Sequence, residues 1–293
     1  MTRQFFLLFC GLIAAALVGS EAGAQLMLPG AAPAAPQGAT ASPAKARSVG
    51  AAKGAGVNAK GATPGVAGLA GRPLMLNGKL GLLQISGDDK TATIEKLRLA
   101  GESVSDSSQR CVVDIVGENP IQATSVGRPD GLERFEVNVP ACPFSFDVVD
   151  GAALAPSQIT ACVFKAADCQ TGPGGLWGPD GASLVSDAAK FAKERAEAEK
   201  AMAKAVRAIE DRAKDSPEAA DLIRDQNGFA GQRDDSCRDY AKESVHGYCA
   251  LRLTEARTAL LATRLNELAV AAAGDATSEK PGKTKPKKRS NQP

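Results

Sequence analysis

Apolar and polar residues alternate in short runs between residues 73 and 170, as expected of strands with one buried face. The clearest run, residues 135–139, reads Phe-Glu-Val-Asn-Val and follows an Asp130-Gly131 pair, which is a strong hairpin signal. Further strands are predicted at residues 80–85, 91–100, 111–116, 121–125, 144–149 and 159–164. Seven or so short strands at this spacing predict a small antiparallel β-sandwich or barrel.

From residue 184 to 272 the apolar residues recur at helical spacing instead. A four-three-four repeat typical of a bundle seam is formed by Ala198, Met202, Ala205 and Ile209. Ser216 can cap a second helix that starts at Pro217 and runs to about residue 240, and a third is predicted from about 248 to before Gly274. Three helices predict an up-down bundle, and the whole chain is expected to have an α+β fold with two domains.

Two stripes of side chains mark the facing sides of the second and third helices. On the second helix, steps of three or four residues join Leu222, Gln226, Phe229, Arg233 and Cys237. On the third helix, the same spacing joins Cys249, Leu253, Arg257 and Leu261. Cysteines at facing ends of antiparallel helices can form a disulfide if their Cα atoms come within about 7 Å. This register predicts a Cys237–Cys249 disulfide.

Residues 1–24 have the organisation of a secretory signal peptide. Arg3 supplies the positive charge, an apolar run follows to Val18, and small residues precede a cleavage site at Ala24-Gln25. The apolar run is shorter than the ~20 residues that cross a bilayer, and no later segment is apolar enough. We therefore expect a periplasmic or secreted protein that does not span a membrane.

The remaining six of the seven cysteines form an even set, which in an exported chain predicts disulfides rather than metal or redox sites. They are Cys111, Cys142, Cys162, Cys169, Cys237 and Cys249. With Cys237 paired to Cys249, the pairing of the other four stays open. Proximity along the chain favours Cys111–Cys142 and Cys162–Cys169.

Composition divides the chain into six segments. Trp177, the only tryptophan, is interpreted as a plug that packs the hinge segment against one domain or as an anchor for a partner. In chain order the segments are a signal peptide at 1–24, a disordered Ala/Gly/Pro-rich arm at 25–72, the β-rich domain at 73–170, a Gly/Pro hinge at 171–183, the helical domain at 184–272 and a basic disordered tail at 273–293.

The residue spacing over 222–261 resembles the LprI-type lysozyme-inhibitor-like domain of bacterial envelope proteins, within a broader match over roughly 199–268. The pattern is Q-x2-aromatic-x3-R-D-x2-C followed by C-x3-L-T-x2-R-x3-L. Its positions are Gln226, Phe229, Arg233, Asp234, Cys237, Cys249, Leu253, Thr254 and Arg257. The resemblance implies structural roles for these residues. Arg233 falls on the apolar face and needs a partner there, with Asp234 and Gln226 as candidates.

An enzyme is not expected from this sequence. His246 is the only histidine, which argues against a histidine triad or a multi-histidine metal site. Bridged cysteines cannot act as nucleophiles. We therefore expect no catalytic residues, no cofactor, no metal and no nucleic-acid partner.

The expected function is that of an exported, non-catalytic binding protein whose partner is a lysozyme or another envelope protein. Residues 238–248, the loop that the Cys237–Cys249 disulfide would close, form the candidate contact surface. Candidate target contacts are His246, Tyr248 and Trp177. The alternative is an envelope structural or assembly factor that binds peptidoglycan or lipopolysaccharide through its basic ends and the β-rich domain.

Overall fold

A computed structural model describes residues 65–278, apart from Asp89, Gln158, Ile159 and Asp215. The predicted signal peptide, the arm up to residue 64 and the tail from residue 279 lie outside the described residues. Within the described part, eleven β-strands are followed by three long helices and one short helix.

The strands form one continuous antiparallel sheet. In chain order they are β1 (Leu74–Leu76), β2 (Leu80–Gly87), β3 (Ala92–Ser103), β4 (Arg110–Asp114), β5 (Ile121–Ser125), β6 (Arg134–Val137), β7 (Phe144–Val149), β8 (Ala152–Ala155), β9 (Cys162–Phe164), β10 (Cys169–Thr171) and β11 (Gly175–Gly178). The path β2-β1-β11-β8-β7-β6-β5-β3 returns to its start because β2 also pairs with β3. Eight strands therefore close into a barrel, and β4, β9 and β10 extend the sheet beside the second half of β3.

The expected fold class, two domains with a small β-sandwich or barrel and a separate three-helix bundle, is wrong. The β-part is a closed eight-stranded barrel with three additional strands, and the expected hinge at 171–183 contains barrel strand β11. The glycines of β11 allow close packing: a Cβ on Gly175 would lie 2.9 Å from Leu76 Cδ1, and one on Gly178 would lie 2.6 Å from the Tyr240 hydroxyl. Glycines that look like a flexible linker in sequence thus serve as sites of close contact.

Large apolar side chains fill the barrel. Those that are at most 1% exposed include Leu83, Ile85, Ile94, Leu99, Phe135, Phe146 and Trp177. Phe135 and Phe146 stack with ring centroids 5.5 Å apart, and Trp177 Nε1 donates a hydrogen bond to the Pro173 carbonyl oxygen at 2.8 Å. A barrel of eight strands is narrow enough for side chains to fill completely. Trp177, interpreted from the sequence as a plug between the hinge and one domain, instead lies in strand β11 with its side chain in the barrel core.

The barrel core begins earlier in the chain than composition indicates. Val66 lies in a 3₁₀ turn at Val66–Gly68, and both Val66 and Leu69 are fully buried against the barrel core. The expectation of a disordered arm up to residue 72 is therefore wrong for this stretch. Two apolar side chains suffice here because the barrel core gives them a surface to bury against.

The helices are α1 (Ala188–Glu210), α2 (Pro217–Cys237), the one-turn α3 (Glu243–His246) and α4 (Tyr248–Ser278). The predicted start of α2 is confirmed, because Ser216 Oγ accepts a hydrogen bond from the Ala219 amide and Pro217 takes the first helical position. The predicted end of the last helix before Gly274 is wrong, since α4 continues to Ser278. None of the helices in the described range combines the length and apolar character needed to cross a membrane.

The helices cover the outer face of β7, β8 and β11. From the barrel, Val149, Ala152 and Leu176 join one apolar cluster with Phe191, Tyr240, Tyr248 and Leu251 from the helical part. Arg264 of α4 reaches the β5–β6 loop, where its Nη2 lies 2.7 Å from Asp130 Oδ1. The helical region is therefore built onto the barrel wall, which explains why a two-domain division with a hinge does not describe this protein.

Three disulfides are present, as expected of a protein folded in an oxidising compartment. The predicted Cys237–Cys249 pair is confirmed, with Cα atoms 5.6 Å apart. The favoured pairing of the other four is wrong, because the bridges are Cys111–Cys169 and Cys142–Cys162. Cys111 of β4 pairs with Gly101 of β3, and Cys169 of β10 pairs with Ser103 of the same strand, and their Cα atoms lie 5.6 Å apart. Strand order, and not sequence separation, brings them together.

Candidate functional site

Most residues of the family-like signature meet between α2 and α4. The Phe229 ring lies under two guanidinium groups, with the Cζ of Arg233 5.9 Å and that of Arg257 5.7 Å from its centroid. Thr254 donates to the Ala250 carbonyl within α4, and its hydroxyl also lies 3.4 Å from Arg233 Nη1. The predicted helical stripes thus do form one facing surface, with two cations in it.

Arg233 is mostly buried, and besides the Thr254 hydroxyl it has two carboxylates within hydrogen-bond reach. Asp234 Oδ1 lies 3.1 Å from its Nε, as predicted, while Glu199 of α1 lies 3.4 Å from Nη1. Gln226, the other predicted partner, instead accepts a hydrogen bond from Arg257 Nε at 2.8 Å. Glu199 was missed because the contact depends on how α1 packs against α2, which the spacing within α2 does not contain.

Arg257 is almost completely buried, at 3% exposed. Within the part of the chain that the structure describes, its Nη2 has no hydrogen-bond partner. Burial lowers the pKa of its guanidinium by disfavouring the charged form, and Asp225 on α2 only partly opposes this shift. The one hydrogen bond that Arg257 makes through Nε goes to the neutral side chain of Gln226.

A cleft separates α2 from the outer face of the barrel, and Arg233 and Arg257 line it. The inner part has a volume of about 60 Å³ and is mainly apolar, with Leu132, Leu154, Phe229, Leu253, Ala256 and Leu260 in its walls. Asp130 and Asp147 also line it, and Arg134 forms ion pairs with both at 2.8 and 2.6 Å. Burial raises the pKa of Asp147, while its hydrogen bonds from Arg134 oppose that shift.

The cleft opens into a wider, more polar space of about 370 Å³ that reaches the disulfide-closed loop. The two parts share Leu154, Ser236 and Leu253. Charged side chains of the outer part come from the end of α2 and the start of the loop, namely Asp235, Arg238 and Asp239.

We call residues 238–248 the disulfide loop. Tyr240 holds it to the barrel by donating to the Pro179 carbonyl oxygen at 2.8 Å, and the Ala241 amide donates to the Asn77 carbonyl oxygen at 2.9 Å. Both carboxylate oxygens of Glu243 accept backbone amides at the start of α4, from Cys249 and Ala250, each at 2.9 Å. A carboxylate at a helix N-terminus is favoured by the exposed N–H groups and the helix dipole.

Two predicted target contacts in or beside the loop are inaccessible. His246 is buried, where its Nε2 lies 2.8 Å from the Ala241 carbonyl oxygen and its Nδ1 accepts the Tyr248 amide at 3.1 Å. Tyr248 is also buried and donates through its hydroxyl to the Gly151 carbonyl oxygen at 3.0 Å. Trp177, the third candidate, is enclosed in the barrel. These three side chains were expected at a contact surface and instead stabilise the fold.

The exposed part of the disulfide loop consists of other residues. Val245 is 53% exposed, and the side chains of Arg238, Asp239, Lys242 and Ser244 are exposed around it. Lys242 has a left-handed backbone conformation with φ of 61°, which turns the chain into α3. The sequence does show an apolar residue flanked by charged ones in this loop. Residue spacing alone, however, does not distinguish Val245 from other candidate contact residues.

No group of three or more His, Cys, Asp and Glu side chains is placed to hold a metal ion in the described ranges. Comparison of the chain with family models, with curated proteins and with solved structures finds no match.

Proposed function

We propose that this protein is an exported, non-catalytic binding protein of the cell envelope, of the lysozyme-inhibitor-like type, and that it binds a protein partner through the disulfide loop. The observation that supports this most directly is the contrast within the loop. Val245 is exposed while its neighbour His246 and the anchoring Tyr240 are buried.

A loop held in this way loses little conformational freedom when it binds. The Cys237–Cys249 disulfide fixes both of its ends, and hydrogen bonds from Tyr240 and Ala241 attach its middle to the barrel. Because immobilising a flexible segment opposes association, a loop that is already ordered binds more tightly than a free one with the same side chains.

Inhibition by such a loop requires no chemistry on the part of this protein. Occupying the carbohydrate cleft of a lysozyme with Val245 and the neighbouring charged side chains would exclude the polysaccharide. The three disulfides agree with folding in the compartment where that encounter takes place.

The test is hydrolysis of peptidoglycan by purified lysozymes in the presence of micromolar protein. We expect the wild type to slow hydrolysis and Val245→Asp to weaken this inhibition at least tenfold, or by about 1.4 kcal/mol, because a charge would replace the exposed apolar contact. Val270→Asp is the matched control, since Val270 is 73% exposed on α4, outside the loop. Absence of inhibition by the wild type, or equal loss in both variants, would contradict the proposal.

The envelope structural factor is the second candidate, favoured by the basic residues of the C-terminal segment: Lys280, Lys283, Lys285, Lys287, Lys288 and Arg289. Binding by such a segment weakens with salt because the contacts are electrostatic. Co-sedimentation with peptidoglycan or lipopolysaccharide that disappears on deletion of residues 279–293 would support this function. Sedimentation that is unchanged by the deletion would argue against it.

A further inference from the structure

Arg257 presents an unmatched positive charge in the interior of the protein. None of the ion pairs formed among the described residues includes it, and its Nη2 is buried without a partner. A buried charge is costly unless an opposite charge or several hydrogen bonds compensate for it. The neutral oxygen of Gln226 satisfies only Nε.

The neighbouring charges in the inner part of the cleft are already matched. Asp130 pairs with both Arg134 and Arg264, and Asp147 receives two hydrogen bonds from Arg134. Arg233 has the carboxylates of Glu199 and Asp234 within 3.4 Å, although both of these are largely solvated. Two carboxylates are thus held by two guanidinium groups, and the positive charge of Arg257 remains.

The rest of the inner cleft wall is mainly apolar. Leu132 and Leu154 come from the barrel side, and Leu253, Ala256 and Leu260 come from α4. The inner volume of about 60 Å³ accommodates a few non-hydrogen atoms, and the wider outer part of about 370 Å³ takes the remainder of a larger molecule. Cation and apolar wall together select a ligand that has one negative end and an aliphatic body.

We propose that this cleft is a binding site for a carboxylate attached to a short apolar group. The carboxylate lies against the Arg257 guanidinium, which lines the cleft, and Arg233 contributes its charge from the facing helix. The aliphatic group lies against Leu253 and Leu154. The outer part of this site adjoins the disulfide loop through Arg238 and Asp239, but the residues proposed to bind the ligand, Arg233, Arg257, Leu154 and Leu253, lie outside the loop.

The C-terminal residue of a peptide and a free aliphatic acid share this chemistry. N-acetyl-leucine represents the first source and 4-methylpentanoate the second, and N-acetyl-leucinamide is the matched neutral probe. By titration calorimetry we expect at least one of the two acids to bind, and N-acetyl-leucinamide to bind at least tenfold more weakly than N-acetyl-leucine. Preference for one acid over the other identifies the source.

Two variants test the role of the Arg257 guanidinium and the role of the cleft volume independently. Arg257→Gln should weaken binding of the acid at least tenfold, whereas Arg207→Gln, at an exposed position on α1, should leave it unchanged. Ser236→Trp keeps both arginines but fills the passage between the two parts of the cleft, and it should also abolish binding. It serves as the test if Arg257→Gln does not fold, as judged by far-UV circular dichroism.

Equal binding of acid and amide would overturn the proposal, as would binding that survives both variants or the absence of binding at low-millimolar concentrations of either acid. Loss of lysozyme inhibition in Val245→Asp with unchanged acid binding would show that the loop and the cleft act separately. Failure of the cleft proposal is thereby distinguished from failure of the proposed function.

Discussion

The barrel and the helical region are stabilised in different ways. In the barrel, large apolar side chains from strands far apart in sequence fill a closed interior, and Trp177, Phe135 and Phe146 are fully buried there. The surface between α2 and α4 contains two arginines around Phe229, and a disulfide joins the ends of the two helices. Apolar packing and two disulfides stabilise the first region, whereas one disulfide and the polar contacts of two arginines contribute to the second.

The two regions therefore differ in where a function can reside. The barrel core consists of closely packed apolar side chains and tolerates little change, so the barrel is suited to serve as a scaffold. The helical region has a cleft and an ordered loop at its surface. Both contain charged side chains that are not needed to pack the fold. Trp177 is the only tryptophan and lies in the barrel, so its fluorescence emission reports on the barrel. The circular dichroism of the helices reports mainly on the helical region.

The largest expected effect is on the barrel. Phe146→Ala removes a fully buried ring that stacks on Phe135, and we expect the free energy of unfolding to fall by about 3–5 kcal/mol. Urea unfolding followed by Trp177 emission measures this loss. Val112→Ala is the control, because Val112 is 58% exposed on strand β4 and should change stability by less than about 0.5 kcal/mol. Equal effects would mean that the barrel interior is not tightly packed.

The next effect concerns the helical region. Replacing Cys237 and Cys249 together by alanine opens a loop with a sequence separation of 12 residues, and we expect a loss of about 3 kcal/mol. The unfolding midpoint seen by circular dichroism at 222 nm should shift more than the one seen by Trp177 emission. If the two midpoints move by the same amount, the shared apolar face couples the regions completely and the barrel and the helical region unfold as one unit.

The smallest expected effect concerns the loop between β5 and β6, which contacts α4. Hydrogen bonds from Ser125 and from Arg128 hold the pKa of Glu133 below its ordinary value of 4.5. The stabilisation is therefore present above about pH 4.5 and is lost as the pH falls through the lower folded-state pKa, because the unfolded chain binds the proton more readily. Glu133→Gln should remove this contribution, of less than about 1 kcal/mol. Thermal melts of both proteins from pH 5 to pH 3 measure it, and parallel pH profiles would refute it.

Much of the secondary structure could be predicted from the sequence. The alternation at 135–139 and the helical stripes on α2 and α4 locate elements that the structure contains, and strand β5 and strand β7 have the predicted bounds. Strands β1, β8, β10 and β11 have only three or four residues each, too few for alternation to stand out. Their pairing within the sheet, and not their own pattern, makes them strands.

The candidate site shows the same division. Arg233 and Arg257 could be placed on facing helices by spacing, and the Cys237–Cys249 pair followed from the same register. Glu199 as a partner of Arg233, the unmatched charge of Arg257 and the burial of His246 could not be predicted. Each depends on how closely segments that are far apart in the sequence pack against one another.

The local periodicities, the helix start at Pro217 and the Cys237–Cys249 disulfide could all be read from residues close together in the chain. Closure of the strands into a barrel, the bond between Cys111 and Cys169, and the cleft with a buried cation beside the barrel became visible only in the folded molecule. These features depend on contacts between distant segments, and a local pattern of apolar residues is compatible with many such arrangements.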